Sequence, residues 1–305
     1  MTPSSHTEKT YGFAAALGAF ILWGLLPIYW KAVQSVDPFE ILCHRIVWSL
    51  VFIAVILTIK KRWAETFVPI RSPKNLGILV MSSCCIGLNW LLYIWAVNNN
   101  HVLDTSLGYY INPLVNVLLG FIFFRERPSP MQYLAIGLAA LGVVNSIVSH
   151  GELPWISLAL GISFGFYGLL RKVATVESLP GLFLETAVLS PLALGYIIFL
   201  QAKGASGFLA GDLSVDLLLV GAGAVTATPL IGFAFGARRL QLTTVGILQY
   251  CAPSIAFLLG VFLYGEPFET THLITFGLIW TALAVYTVDS VRTIRRSRRL
   301  ARSAA

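Results

Sequence analysis

Long apolar runs separated by short clusters of charged, Pro/Gly-rich or Asn-rich positions set the pattern of this chain. Ten such runs lie near 11–31, 39–59, 76–97, 103–124, 130–149, 154–170, 180–200, 215–237, 242–264 and 271–290. Each approaches the roughly 20 residues needed to cross about 30 Å of hydrocarbon at 1.5 Å per residue. Strands of a membrane barrel would be about half as long and would alternate polar with apolar, and these runs do not. Backbone groups in lipid must bond within their own segment, which leaves helices. The pattern therefore predicts an all-α membrane protein with ten transmembrane helices. The first run is too long for a cleaved signal, and no small-x-small site follows "LLPIYWKAV".

Composition points the same way. Of 305 residues 57% are hydrophobic and 11% charged, with a mean hydropathy of +0.78, whereas soluble domains carry about 25% charged residues. The net charge of +7 raises the question of nucleic acid, and the placement of the charges answers it. With the tail "RTIRRSRRLAR" set in the cytoplasm and ten crossings counted outward, all but three of the 21 basic residues fall on the cytoplasmic side. Lys31 and Lys203 fall outside, and Arg45 sits within a span. This is the positive-inside bias, and it puts both termini in the cytoplasm. The expected partners are a small-molecule substrate and, at the basic tail, anionic lipid headgroups, with no nucleic acid; the oligomeric state is left open. Cys43, Cys84, Cys85 and Cys251 lie inside spans without metal-ligand spacing and read as apolar fillers, so neither a metal nor a cofactor is expected.

A shift of 140 residues lays the fourth run on the ninth. Tyr110 meets Tyr250, Pro113 meets Pro253, and Leu118-Leu119-Gly120 meets Leu258-Leu259-Gly260. Glu126 meets Glu266, and Gly137-Leu138 meets Gly277-Leu278. At shifts of 144–145, Trp23-Gly24 meets Tyr167-Gly168 and Glu40 meets Glu185. The chain reads as a duplication: 1–149 a first five-helix repeat, 150–291 a second, and 292–305 a basic tail. Five crossings are odd, so the copies run in opposite directions. The charges agree, since Arg125 and Arg127 have no basic counterpart beyond the ninth span, while Arg238 and Arg239 replace Asn98 and Asn99. Two inverted repeats with a site between them near the midplane are a secondary-transporter architecture.

Positions shared by both copies serve the architecture, and positions that differ are free to serve a substrate. Pro113 and Pro253 are expected to bend or break their spans, and Glu126 and Glu266 to cap the helices that follow them. Asn112 and Asn116 face Ala252 and Ala256 in the other copy, so the fold itself needs no amide there. With Tyr109 they share one helical face and are read as lining a polar path. His44 and Arg45 lie deep in the second span, where a charge is costly. Two readings of Arg45 stand open: a grip on a substrate carboxylate or phosphate, and an internal pair with Glu40 or Glu185. Glu185 is the only acid well inside the seventh span, with proton coupling and neutralisation of Arg45 as its alternatives. Asn89, Trp90 and Tyr93 offer hydrogen bonds and an aromatic surface to a flat or cationic ligand. Trp23-Gly24 and Tyr167-Gly168 read either as hinges or as packing pairs. The expected substrate site is thus His44, Arg45, Asn89, Trp90, Tyr93, Tyr110, Asn112, Asn116, Glu185 and Tyr250.

The blocks "HRIVWS", "NWLLYIWAVNN", "SLGYYINPLVNVLLG", "FYGLLRK" and "GEP" resemble the EamA-type carriers of the drug/metabolite transporter superfamily, most closely the RarD branch. The resemblance runs over nearly the whole chain and departs at Arg125, where the usual pattern has glycine. It implies ten helices in two inverted repeats, a central cavity and an inner-membrane carrier of metabolites or drugs, with no definite substrate. The expectation is an exporter of small amphipathic metabolites or drug-like molecules working by alternating access. The alternatives are a passive channel or facilitator and a membrane-embedded lipid-modifying accessory protein. No GxxxxGK[ST], HExxH or GxSxG is present, so an enzyme is not expected.

Overall fold

The structure, a computed structural model, describes residues 5–125, 127–150, 153–237, 239–240 and 248–303. Among them every regular element is a helix. Ten helices follow the ten apolar runs: α1 Ser5–Ala32, α2 Pro38–Ile59, α3 Pro73–Asn98, α4 Val102–Phe124, α5 Pro130–His150, α6 Trp155–Val173, α7 Ser178–Ala202, α8 Leu213–Ala237, α9 Cys251–Leu258 and α10 Thr270–Ser303. Nine of these are long and apolar enough to cross a membrane, and α9 with its continuation forms a shorter apolar helix, Cys251–Leu263. The beginning of the ninth run, 242–247, lies outside the described residues. The helix of α10 extends well into the basic tail.

Helix starts are set by local chemistry. The Asp37 carboxylate accepts from the amides of Phe39 at 2.9 Å and Glu40 at 3.4 Å, with Pro38 in the first turn of α2, where its missing N–H costs nothing. Asp212 does the same before α8, accepting from the Ser214 hydroxyl and from the amides of Ser214 and Val215. Those bonds, the hydroxyl's first, hold the Asp212 carboxyl below its usual value.

The helix pairings betray the repeat. Under exchange of each helix with the one five places on, α1–α8 becomes α3–α6, α4–α6 becomes α1–α9 and α2–α8 becomes α3–α7, and all six are packed pairs. The pairs α5–α10, α2–α7 and α4–α9 map onto themselves. Almost every extensive contact joins one half to the other, so the halves interdigitate and each apolar cluster draws on both. Close approach is built in by small residues: a Cβ on Gly223 would sit 2.3 Å from the Trp48 carbonyl oxygen, fixing α8 tightly on α2.

Two irregularities sit at repeat-related places. Arg125, past the end of α4, has φ +54, and Gly265, 140 residues on, has φ +62. The left-handed turn is thus kept in both copies, although only one has the glycine that adopts it without strain. Leu259–Leu263 forms a π turn, in which the Tyr264 amide bonds the Leu259 carbonyl at 2.9 Å. Pro113 does not break α4, which is assigned helical through it. Having no N–H, it leaves the Tyr109 carbonyl without its helical donor, on the same face as Asn112 and Asn116.

Candidate functional site

Arg45 is the hub. It comes from α2, is 5% exposed, and its Nε donates to the Thr226 hydroxyl on α8 at 3.0 Å. Its guanidinium lies 4.0 Å from the ring centroid of Trp90 on α3 and 5.1 Å from that of Trp30 on α1. Tyr93 and Tyr109 are close enough to feel its charge. Five helices, two of them (α3 and α8) repeat mates of each other, thus converge on one cation. Its Nη1 is buried without a hydrogen-bond partner.

The other predicted residues divide into three groups. Trp90 and Tyr93 share the surroundings of Arg45, while Asn112 and Asn116 lie further along the α4 face that carries Tyr109. Tyr93 packs edge-on to Tyr109 at 5.7 Å, and Tyr109 meets Phe164 of α6 at 6.0 Å. Tyr109 keeps some exposure although rings and Arg45 surround it, as expected of a wall of an internal space. Asn112 has a buried Oδ1 with no partner, and Asn116 is exposed. A second group is structural in its contacts. Asn89 donates to the Leu160 carbonyl at 3.1 Å and the Ser163 hydroxyl at 2.9 Å, clipping α3 to α6. Tyr110 bonds the Ser254 hydroxyl at 2.7 Å and stacks on Tyr250 at 6.4 Å, within the separate core of α4, α5, α9 and α10. The third group sits toward the ends. His44 accepts from the Trp48 indole at 3.3 Å, lies 4.0 Å from Glu40 and packs on Phe208.

Glu185 is 1% exposed and is not the partner of Arg45. Its carboxylate accepts from the Ser82 hydroxyl at 2.7 Å and the Tyr167 hydroxyl at 3.2 Å, and lies 3.7 Å from Arg171 Nη1. Glu40, its counterpart in the repeat, takes the Ser206 hydroxyl at 2.6 Å and the amides of Gly207 and Phe208. Among the described residues no carboxylate comes within 4.0 Å of Arg45. The internal ion pair expected as one reading of Arg45 is therefore absent there, because Glu40 is committed to the 206–208 loop and Glu185 to side chains of α3 and α6.

The two ends of the bundle differ. At the end holding the α3–α4 and α9–α10 connections, Glu266 accepts from the amides of Val102 at 2.7 Å and Leu103 at 2.8 Å. It caps α4 in the other half, not α10 as the sequence suggested; Glu126 lies outside the described residues. Lys31 bonds Asn100 and lies 5.1 Å over the Tyr264 ring, while Ser106 bonds the Pro253 carbonyl at 2.8 Å. Away from that end, exposure along these faces runs from Thr105 buried through Tyr109 and Asn112 half-buried to Asn116 exposed on α4, and from Ser157 and Gly161 buried through Phe164 half-buried to Gly168 exposed on α6, before Gly120 is buried again and Arg171 half-buried. Gly24 packs hard against Ile255, whereas the nearest neighbour of a Cβ on Gly168 is Asn116 Oδ1 at 3.9 Å. The two glycines expected to match are thus one packed and one open.

Sequence reasoning missed Trp30, Thr226 and Phe164 at the centre, and the inward turn of Arg171. Their partners lie on other helices at separations no local pattern encodes; only the unusual threonine in "AVTATPLIG" gave any signal. An apolar hollow of about 520 Å³ lined by residues of α2 and Phe183 of α7 presents no charged group and is not the site.

Residues 10–148 match the EamA-like transporter family. An "Uncharacterized transporter" of Vibrio cholerae is 44% identical over 299 residues, covering 98% of this chain and 99% of that protein. "Protein RarD" of Escherichia coli is 43% identical over 290 residues, 95% and 98% of the two chains. "Chloramphenicol-sensitive protein RarD" of Pseudomonas aeruginosa is 31% identical over 295 residues, 94% and 97%. A solved crystal structure, described only as a protein, superposes with a TM-score of 0.58 at 20% identity, over 93% of this chain and 99% of that one, which shows a common fold.

Proposed function

The chain belongs to the EamA-like transporter family, in its RarD branch, and is a multi-pass membrane transporter; on that premise we propose an inner-membrane secondary carrier that exports small amphipathic or drug-like molecules by alternating access. The observation that carries this reading is the difference between the two ends around a central polar site. One end is closed by buried bonds between the halves, with Glu266 on α4 at its centre. Toward the other, Asn116 on α4 and Gly168 on α6 are exposed and face each other without packing the helices shut, a Cβ on Gly168 standing 3.9 Å from Asn116 Oδ1. Positive-inside counting puts the closed end outside and the exposed end in the cytoplasm, so both termini are cytoplasmic and the conformation is inward-facing.

Inverted repeats give a physical route to the opposite state. Each half can adopt the conformation its twin shows, which opens the outer end and closes the inner one around a fixed site. Arg45, Trp90, Tyr93, Asn112 and Asn116 form the binding centre. Asn89, Tyr110 and Tyr250 hold its walls, and His44 and Glu185 flank it toward the two ends. The closed outer end argues against an open pore. Reconstituted protein is expected to show substrate-stimulated counterflow that saturates; no stimulated flux across a broad metabolite panel at several pH gradients would refute the proposal.

A further inference from the structure

We propose that the central site takes organic monocarboxylates with a flat, apolar body, the carboxylate seated on the free edge of Arg45. This rests on the reading of that site as the transport site. Among the described residues Arg45 has no counter-ion. Arg45 is 5% exposed, Nε is used by Thr226, and Nη1 has no partner. The two acids within reach by sequence or symmetry are occupied, Glu40 by Ser206, Gly207 and Phe208, and Glu185 by Ser82, Tyr167 and Arg171. A buried cation left in this state is costly, and an anionic ligand removes the cost on binding.

The geometry then selects among ligands. Trp90 and Trp30 lie against the guanidinium at 4.0 and 5.1 Å. What remains for a ligand is the N–H edge, whose planar donors fit a carboxylate. The same stacking occupies one face of Trp90, and a cation approaching the ring would meet the charge of Arg45. The aromatic group at 89–93 therefore serves the protein's own cation rather than a ligand's. A dianionic phosphate would call for further cations, and Arg45 is the only one among the described residues at this centre. Next to Arg45, Tyr93, Tyr109 and Phe164 supply ring surface. Asn112, one turn along α4 from Tyr109, offers an unpartnered Oδ1 to a donor on the far end of the ligand.

The test uses the purified full chain in lipid nanodiscs, titrated with benzoate, benzyl alcohol and benzylamine while tryptophan fluorescence and thermal stability are read. Benzoate is expected to bind saturably, at least about tenfold tighter than benzyl alcohol, with benzylamine weaker still. 4-Hydroxybenzoate is expected to gain a few-fold over benzoate, a gain lost in Asn112→Leu. Arg45→Gln is expected to lower benzoate affinity at least about tenfold. Should that variant fail to fold, the three-ligand comparison on the native protein decides alone. Equal binding of benzylamine or benzyl alcohol, no binding of either carboxylate, or an unchanged Arg45→Gln overturns the inference. Counterflow separates this from the broader reading. Flux of neutral or cationic solutes that ignores Arg45 would overturn the carboxylate site and leave transport standing, while no flux of any solute would overturn transport.

Discussion

Replacing Glu266 by alanine removes the carboxylate that bonds the start of α4, the contact proposed to hold the outer end shut. In the closed arrangement that group accepts two amides from the first turn of α4, at 2.7 and 2.8 Å, and is itself buried. Hydrogen bonds to a charged group contribute about 1.5–3 kcal/mol each and an N-cap about 1 kcal/mol. Water replaces part of this when the end opens, so we take about 1.5–3 kcal/mol for the pair together. In a carrier exchanging between two states, that amount shifts the ratio of outward- to inward-facing molecules by about 10- to 140-fold. The assay places a single cysteine at Asn112 in a background lacking Cys43, Cys84, Cys85 and Cys251, and follows its reaction with an impermeant maleimide in vesicles of both orientations. With Glu266 present, labelling proceeds from the cytoplasmic side. With Glu266→Ala, the rate from the outer side rises by the factor above. An unchanged outer rate in a folded variant would refute the reasoning and reduce Glu266 to a helix cap, and rapid outer labelling with Glu266 in place would refute the inward-facing assignment itself.

Three further expectations follow from particular contacts. Asn89→Leu loses both bonds between α3 and α6 but also an unpartnered Oδ1. Helix-to-helix bonds in membranes average about 0.6 kcal/mol, so the loss is expected at about 0.5–1.5 kcal/mol in a denaturation series, with substrate affinity little changed; a loss of binding alone would make Asn89 a ligand contact. Arg125→Gly relieves a left-handed arginine and is expected to stabilise by about 0.5–1 kcal/mol, read as a higher Tm; a fall would mean that the arginine's charge matters more than its backbone. Cysteines at Lys203 and Lys60, both exposed, are expected to label from opposite faces, outer and cytoplasmic respectively; labelling from the same face would overturn the ten-crossing topology.

The local rules carried far in this chain because lipid removes most of the alternatives. Helix boundaries followed from apolar run length, and the unusual left-handed Arg125 stood where the repeat placed its glycine twin Gly265. The start of the ninth run is a boundary that lies outside the described residues. The site was legible in part. Arg45, Trp90 and Tyr93 stood out as a charge and rings in greasy spans, and they meet. Which acid pairs with which cation was not legible, since Glu185 and Arg171 are brought together from α6 and α7 by packing.

Sequence alone thus determined the number of crossings, their inverted duplication and the residue types rich enough in hydrogen bonds to matter, since each of these follows from period, length and charge along one chain. Only the tertiary structure decided that Arg45 lies against two tryptophans with one amino group unused, that Glu266 caps α4 in the opposite half, and that the two ends differ. Those facts depend on distances between helices. Interhelical packing sets such distances, and no one-dimensional pattern records them.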